Sequence, residues 1–221
     1  MKKKFIIISI ITFLIIVTII IGITILYRLN IIPHKYYYNS DFGIETYISS
    51  VDKDNDGIDD QTDILNSVRN YISTKPKYKS KYYSTGYPDD EYGVCTDVVA
   101  NGLKGAGYDL MELANQDIIE HKERYDIEEI DKNIDFRRVR NLNVYFKNNS
   151  ISLTTDLSKI EEWQGGDIIV FKNHIGIISD KRNKHGVPFL IHHITPGQIH
   201  YEEDVLEFYN KDYIIGHYRI S

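Results

Sequence analysis

Phe5 to Tyr27 is one apolar run, interrupted only by Ser9, Thr12, Thr18, Gly22 and Thr24, and it carries no charge. As a helix, its about 23 residues are long enough to cross a hydrocarbon core of roughly 30 Å. A helix that is apolar on every side belongs in lipid or deep inside a large core. A secretory signal has a shorter apolar centre, about 7–15 residues, followed by a small-residue cleavage site. No such site follows this run, so residues 1–27 are expected to stay as a transmembrane anchor. Lys2, Lys3, Lys4 and the N-terminal amine precede the run, and Arg28 and Lys35 follow it. That excess places the N-terminus in the cytoplasm and residues 28–221 outside, as a single-pass protein of the cell membrane.

A chain of 221 residues suits one domain behind such an anchor. Net charge is -6, and without the three leading lysines 23 basic residues face 32 acidic ones. An acidic domain repels phosphate backbones, so nucleic acid is excluded as the expected partner. One cysteine permits neither an intramolecular disulfide nor a cysteine-type zinc cluster.

Pro33, Tyr36 to Ser40, Asp41 and Gly43 mark a juxtamembrane linker, read as residues 28–50, ahead of a domain at 51–221. Ile64, Leu65, Val68 and Ile72 predict a helix over 62–73. Gly93-Val94-Cys95-Thr96-Asp97 leads into another helix, with Val98, Val99, Leu103 and Ala106 inward. Asp109 is placed to cap a third, with Leu110, Leu113 and Ile118 on its inner side. Asp135 to Phe146 reads as one more. After Gly165-Gly166 the texture changes. Asp167–Phe171, His174–Asp180, Pro188–Ile194 and Tyr213–Ile220 are short, β-branched or aromatic, and separated by turn residues, so they read as strands. Helices first and a sheet afterwards is an α+β fold, with N-terminal helices packed on a small antiparallel sheet.

Cys95 stands where a glycine-containing loop enters a helix. A helix N-terminus favours a thiolate, and a nucleophilic cysteine needs a base that is itself oriented. The later strands offer histidines for both tasks. If Lys181–His185 is a hairpin loop, Asp180 pairs with Gly186 and His174 falls directly opposite His192, facing the Cys95 helix. A one-residue slip would bring His193 there instead. Taken singly, a lone cysteine is more often a small buried hydrophobe, and a strand histidine a structural residue. The three together point to catalysis. His34, His121, His185 and His200 read as surface residues, and His217 stands open.

Tyr87-Pro88, Gly93 to Val98, Asn133 to Val139, Gly166-Asp167-Ile168, His174 to Ile177 with Ser179-Asp180, Ile191-His192 and Gly216 to Arg219 form an ordered series. It resembles the bacterial family described as domain of unknown function 1287, from about residue 50 to the C-terminus. That family in turn is similar to the NlpC-type, papain-like cysteine peptidases. The resemblance implies a papain-like α+β fold, with Cys95 as nucleophile, His174 as base and His192 as the orienting residue. It also implies a peptidoglycan peptide or another amide as substrate. Val94-Cys95-Thr96-Asp97 departs from the usual D-C-S-G of that clan, which bears on substrate class. Asp97 stays open between cap and substrate contact; Asp135, Arg137 and Arg138 stay open between cleft lining and a helix-to-sheet bridge.

Asp52, Asp54, Asp56, Gly57, Asp60 and Asp63 follow D-x-D-x-D-G-x-x-D-x-x-D. Oxygens at alternate positions ahead of a glycine suit a hard cation such as Ca²⁺, with the Ile58 carbonyl as a further ligand. The pattern resembles EF-hand-like loops and thrombospondin type-3 repeats. Asp63 in place of the longer Glu, and Asp59 in place of an apolar residue, depart from an EF-hand. The other reading is a solvated acidic turn capping the next helix. Two functions follow: an anchored, extracytoplasmic cysteine amidase or peptidase acting on the cell wall, or a non-catalytic, calcium-dependent surface binding module.

Overall fold

The computed structural model describes residues 2–209 and 213–220 and comprises two units, Met1–Lys35 and Tyr36–Ser221. In the first, α1 (Lys2–Arg28) is long and apolar enough over Lys4–Arg28 to cross a membrane. Three of its hydroxyls are satisfied internally. The hydroxyls of Thr12, Thr18 and Thr24 donate to the carbonyls one turn back, at 3.0, 2.9 and 2.8 Å, as an apolar medium requires. The side chains of Lys2 and Lys3, which enter the orientation argument, lie outside the described residues. His34, expected at the surface, is instead buried, stacked on Tyr27 with a ring nitrogen 2.7 Å from the Tyr27 carbonyl.

The second unit begins earlier than the sequence suggests. Residues 36–50, read as linker, belong to the folded body. Tyr37 exchanges two 2.8 Å backbone hydrogen bonds with Arg182. The Asn39 amide donates to Gln164 at 2.9 Å and accepts from the Arg182 guanidinium at 2.5 Å. These long-range partners are invisible to local sequence pattern.

Three helices follow at the expected places. Asp59 caps α2 (Asp60–Ser73), accepting from Thr62. Cys95 opens α3 (Cys95–Gly105). Asp109 caps α4 (Leu110–Glu120) through the N–H groups of Met111 and Glu112. The helix expected over Asp135–Phe146 is broken in two, α5 (Lys132–Asp135) and α6 (Val139–Asn149). The chain turns at Phe136–Arg138, with Arg138 extended, because the Arg137 side chain is drawn into the interior toward Asp97. Between α2 and α3, β1 (Lys77–Tyr78) and β2 (Tyr92–Gly93) form a small parallel pair.

The main sheet is antiparallel. It is built from β3 (Ile151–Ser152), β4 (Ile168–Phe171), β5 (His174–Arg182), β6 (Pro188–Ile191), β7 (Glu202–Glu203) and β8 (Ile214–Arg219), in the order β3-β8-β4-β5-β6-β7. Ile168, Val170, Ile175, Ile177 and Ile191 pack on α2, α3, α4 and α6, against Ile64, Val98, Leu103, Leu110 and Phe146. The opposite face is covered too: Ile169, Phe171, Ile178 and Leu190 pack on Trp163, Leu157 and Leu206. Burial on both faces explains why β4 reads as an unbroken apolar run rather than an alternating one. The chain is therefore α+β, as the sequence pattern predicts.

Asp167, at the entrance to β4, ties the sheet to the helices. Its carboxylate has no solvent exposure. One oxygen accepts from Gln61 at 2.8 Å and Arg219 at 2.7 Å; the other accepts from the Gln164 N–H at 2.9 Å, Arg219 at 2.8 Å and His217 at 3.0 Å. His217 is thereby a structural residue, stacked flat on Trp163 at 3.8 Å. The preceding Gly166 has φ +92°, and an added Cβ would come within 2.6 Å of the Gln61 carbonyl. Five donors converging on one buried carboxylate make its loss expensive, because Arg219 and His217 lose the buried charge to which they donate. Asp167→Ala is expected to destabilise the chain by about 3–5 kcal/mol, measured by denaturant unfolding in detergent. The exposed pair Lys77–Glu91 serves as control, and Glu91→Ala should leave the midpoint unchanged.

Candidate active site

Cys95 is the first residue of α3, and the local sequence holds it there tightly. Val94 is extended, with φ -137° and ψ -177°, and its N–H donates to Asp97 Oδ2 at 2.8 Å. The Asp97 and Val98 N–H groups both return to the Val94 carbonyl, at 3.0 and 3.3 Å. The N–H groups of Cys95 and Thr96 belong to the open first turn, where an α-helix has no carbonyl of its own to offer. Asp97 does more than cap. It is fully buried and takes a two-pronged bond from Arg137, Nε to Oδ1 at 2.7 Å and an NH₂ group to Oδ2 at 2.8 Å. Arg137 also donates to the Lys81 carbonyl at 2.6 Å. Both residues are thus structural: Arg137 joins the loop before α6 to the helix that presents the cysteine.

The two histidines meet, though not as the expected register requires. Ile177 faces Ile191 and Ile178 faces Leu190, and a bulge follows before Arg182 meets Pro188. The turn is Asn183–Val187, closed by a 2.8 Å bond between those residues, not Lys181–His185. Buried Arg182 sets it, donating to the carbonyls of Gly186, Trp163 and Ile160 at 2.6, 2.5 and 3.0 Å. Continuing that register, Gly176 comes opposite His192, and His174 sits one diagonal step away on the same face. An added Cβ at Gly176 would lie 3.2 Å from the His192 Cβ and 2.8 Å from the Ile191 carbonyl. The missing side chain is therefore the space through which the His192 ring leans toward His174.

His174 Nε2 and His192 Nδ1 are 2.8 Å apart, and His192 Nε2 lies 2.9 Å from Glu203 Oε2. Gln198 donates to the same Glu203 oxygen at 3.2 Å. Both rings lie on the side of the sheet that carries Ile178 and Leu190, not the face of Ile175 and Ile177 that packs on the helices. Cys95 approaches the same strand at its end: the backbone N–H of Ile175, next to His174, bears on the thiol. Among the described residues no hydrogen bond joins Cys95 to His174, and His174 Nδ1 has no protein partner. His193 points elsewhere, between Tyr78 and Tyr201 at 5.2 and 4.9 Å, so the diagonal pairing selects His192.

Burial decides the protonation states. It pushes the Cys95 thiol up to about 11, against the backbone N–H groups of Ile175, Thr96 and Cys95 itself, which pull it down. It pushes His174 down to about 3, helped by the neighbouring His192 and His193. His192 falls to about 3 from burial alone. The resting pair is thiol and neutral imidazole, not the thiolate and imidazolium that a helix N-terminus alone would predict. Glu203 escaped the sequence reading because nothing in its spacing marks it. It enters by pairing with Leu190 in a two-residue strand.

The acidic loop divides. One oxygen each of Asp52, Asp54 and Asp56 lie within 4.8 Å of one another. Asp60 leaves the expected ligand set, since its oxygens accept from the Lys53 N–H at 2.7 Å and from the Tyr108 hydroxyl. Asp63 is buried, at 6% exposure, and its Oδ2 has no partner.

The family model for the domain of unknown function DUF1287 matches residues 65–220. The protein named "Uncharacterized protein YijF" of Escherichia coli (strain K12) is 32% identical over 169 residues, covering 71% of this chain and 80% of that protein. No solved structure matches. The matched stretch runs from α2 through β8 and contains Cys95, His174, His192 and Glu203, and the chain belongs to the DUF1287 family.

Proposed function

We propose that this protein is a membrane-anchored, outward-facing cysteine hydrolase of papain-like type that cleaves amide bonds in cell-wall peptides. The observation that carries the reading is the line Glu203–His192–His174, which runs through 2.9 and 2.8 Å contacts to the end of the strand against which the one cysteine lies. A hydrogen-bonded pair at His174 Nε2 leaves Nδ1 as the ring nitrogen available for a proton. In the reaction Cys95 Sγ attacks the amide carbonyl while its proton passes to His174 Nδ1. The open N–H groups of Cys95 and Thr96 face the developing oxyanion. His174 then protonates the leaving amine, the C–N bond breaks, and water hydrolyses the thioester. His192 and Glu203 hold the imidazole's tautomer and offset the charge that His174 acquires. The resemblance to NlpC-type peptidases supports the wall peptide as substrate. The three leading lysines support the outward orientation.

The rival reading, a binding module on the same scaffold, draws on the neutral resting pair and the lack of a Cys95–His174 hydrogen bond. Incubation of the full chain with wall fragments, followed by mass spectrometry, separates the two. The hydrolase should release new amine ends. His174→Ala should reduce turnover by about 10²–10⁴-fold, Cys95→Ala should abolish it, and His185→Ala, far along the sheet and exposed, should change nothing. Wild type and Cys95→Ala giving identical digests would establish the binding module.

The acid limb of the pH profile is set by His174, which must be neutral to accept a proton. Burial lowers its pKa to about 3, so kcat/KM should hold well below pH 6.5, the usual histidine midpoint, and fall only as His174 finally protonates. An acid limb at the ordinary histidine value would mean that His174 is not the base.

Orientation has its own check. Protease added to intact cells stripped of their wall should degrade residues 36–221. Complete protection until lysis would reverse the topology.

A further inference from the structure

We propose that the loop before α2 is a divalent-cation site of calcium type, formed by the carboxylates of Asp52, Asp54, Asp56 and Asp63 with the Ile58 carbonyl. It stands independently of the cysteine chemistry. Three carboxylates whose oxygens lie within 4.8 Å of one another are unremarkable alone, since Asp54 and Asp56 are exposed and water can screen them. Asp63 is what demands a ligand. It is 94% buried by its 6% exposure, and its Oδ2 is sealed from solvent with no donor in reach. A buried carboxylate oxygen without a partner is costly, and the buried acids of the domain core Asp97 and Asp167 are amply bonded.

The direction of Asp63 follows from its position. It lies in the first turn of α2, where Cα–Cβ bonds tilt toward the helix N-terminus and so toward the preceding loop. Burial raises its carboxyl above the usual carboxylate range, and the nearby charges of Asp56, Asp54, Asp52 and Asp59 push it the same way. Three carboxylates converge within 4.8 Å and the sealed Asp63 adds a fourth negative charge nearby, so the four repel one another unless a cation sits among them. Oxygen-only donors, with several carboxylates and a carbonyl, suit Ca²⁺ over Zn²⁺ or Cu²⁺.

The rest of the loop is already braced for the task by residues that take no part in ligation. Asp60 is anchored to Lys53 and Tyr108, and Asp59 accepts from Ser49 at 2.9 Å while capping α2. The site would therefore clamp the chain entering the domain onto α2, which packs on the Cys95 helix α3 through Ile64 and Val68.

The test is thermal unfolding of the full chain in detergent, in EDTA, in CaCl₂ and in MgCl₂. With an affinity on the order of 10⁻⁴ M, about 10 mM calcium should raise the wild-type Tm by roughly 5–10 °C, and calorimetric titration with CaCl₂ should give one site. Asp54→Asn with Asp56→Asn should remove the rise. Asp63→Asn discriminates most sharply. In EDTA it should melt at or above wild type, because it relieves repulsion at a sealed carboxylate, and in calcium it should melt below wild type. That reversal is not expected of a residue that merely caps a helix. A calcium response as large in Asp63→Asn, or in the double variant, as in wild type overturns the site. So does a wild-type Tm that calcium does not move.

Discussion

The geometry around Cys95 depends on the buried pair Asp97–Arg137. Asp97 is three residues into nothing but its own helix turn, and its carboxylate does two jobs at once. It holds the Val94 N–H, which fixes where α3 starts, and it binds the Arg137 fork, which fixes what lies beside that start. Burying two charges is costly, and a pair in this setting rarely stabilises a fold more than apolar residues would. What it provides is definition. The planar guanidinium meets both carboxylate oxygens and a backbone carbonyl in one orientation. Helix α3 therefore begins at Cys95, with the N–H groups of Cys95 and Thr96 unclaimed by helix carbonyls and bearing on the thiol. The same demand breaks the helix that sequence periodicity would run through Phe136–Arg138.

The sheet is positioned by a second polar node of similar logic. Asp167 collects α2 through Gln61, the loop through Gln164 and β8 through His217 and Arg219. Since β4 is apolar on both faces, hydrophobic burial alone would leave its register free to slide. Asp167 at the entrance to β4 and buried Arg182 at the end of β5 add polar contacts that hold it. His174 and His192 then reach each other diagonally across Gly176, at a spacing that the directly opposed register would not give.

Much of this was legible in the sequence. The apolar run, the α2, α3 and α4 helices, the four longer strands and the α+β order follow from periodicity and capping residues, because those signals are local. Cys95 at a helix start is local too, as is the sharing of one face by His174 and His192, which a register change of two residues preserves, although that face is the one turned away from the helices and not toward the Cys95 helix as the pattern suggests. The losses are all long-range. Residues 36–50 look like linker because Tyr37 and Asn39 find their partners, Arg182 and Gln164, more than a hundred residues away. Glu203 carries no signal, because its strand is two residues long and exists only by pairing with β6. Asp60 fits the cation pattern by spacing, but Tyr108, from another segment, claims its oxygen.

Protonation is where sequence reasoning and structure part most instructively, and magnitudes decide between them. A helix N-terminus typically stabilises a negative charge by about 0.3–1 kcal/mol, rising to about 2 kcal/mol when partly buried. Raising a thiol from 9.0 to about 11 corresponds to about 3 kcal/mol in the other direction. Desolvation therefore outweighs the helix, and it acts on His174 with the same sense, because it penalises any charge. Burial therefore favours the neutral thiol and the neutral imidazole, and the proposed reaction would separate charge only when the thiol attacks. In the proposed hydrolysis the proton leaving sulfur would arrive on a ring whose far nitrogen already contacts His192, whose own far nitrogen contacts a carboxylate. In that proposed step the Glu203 carboxylate would answer the positive charge at His174, through His192 and on the opposite face of the sheet from α3.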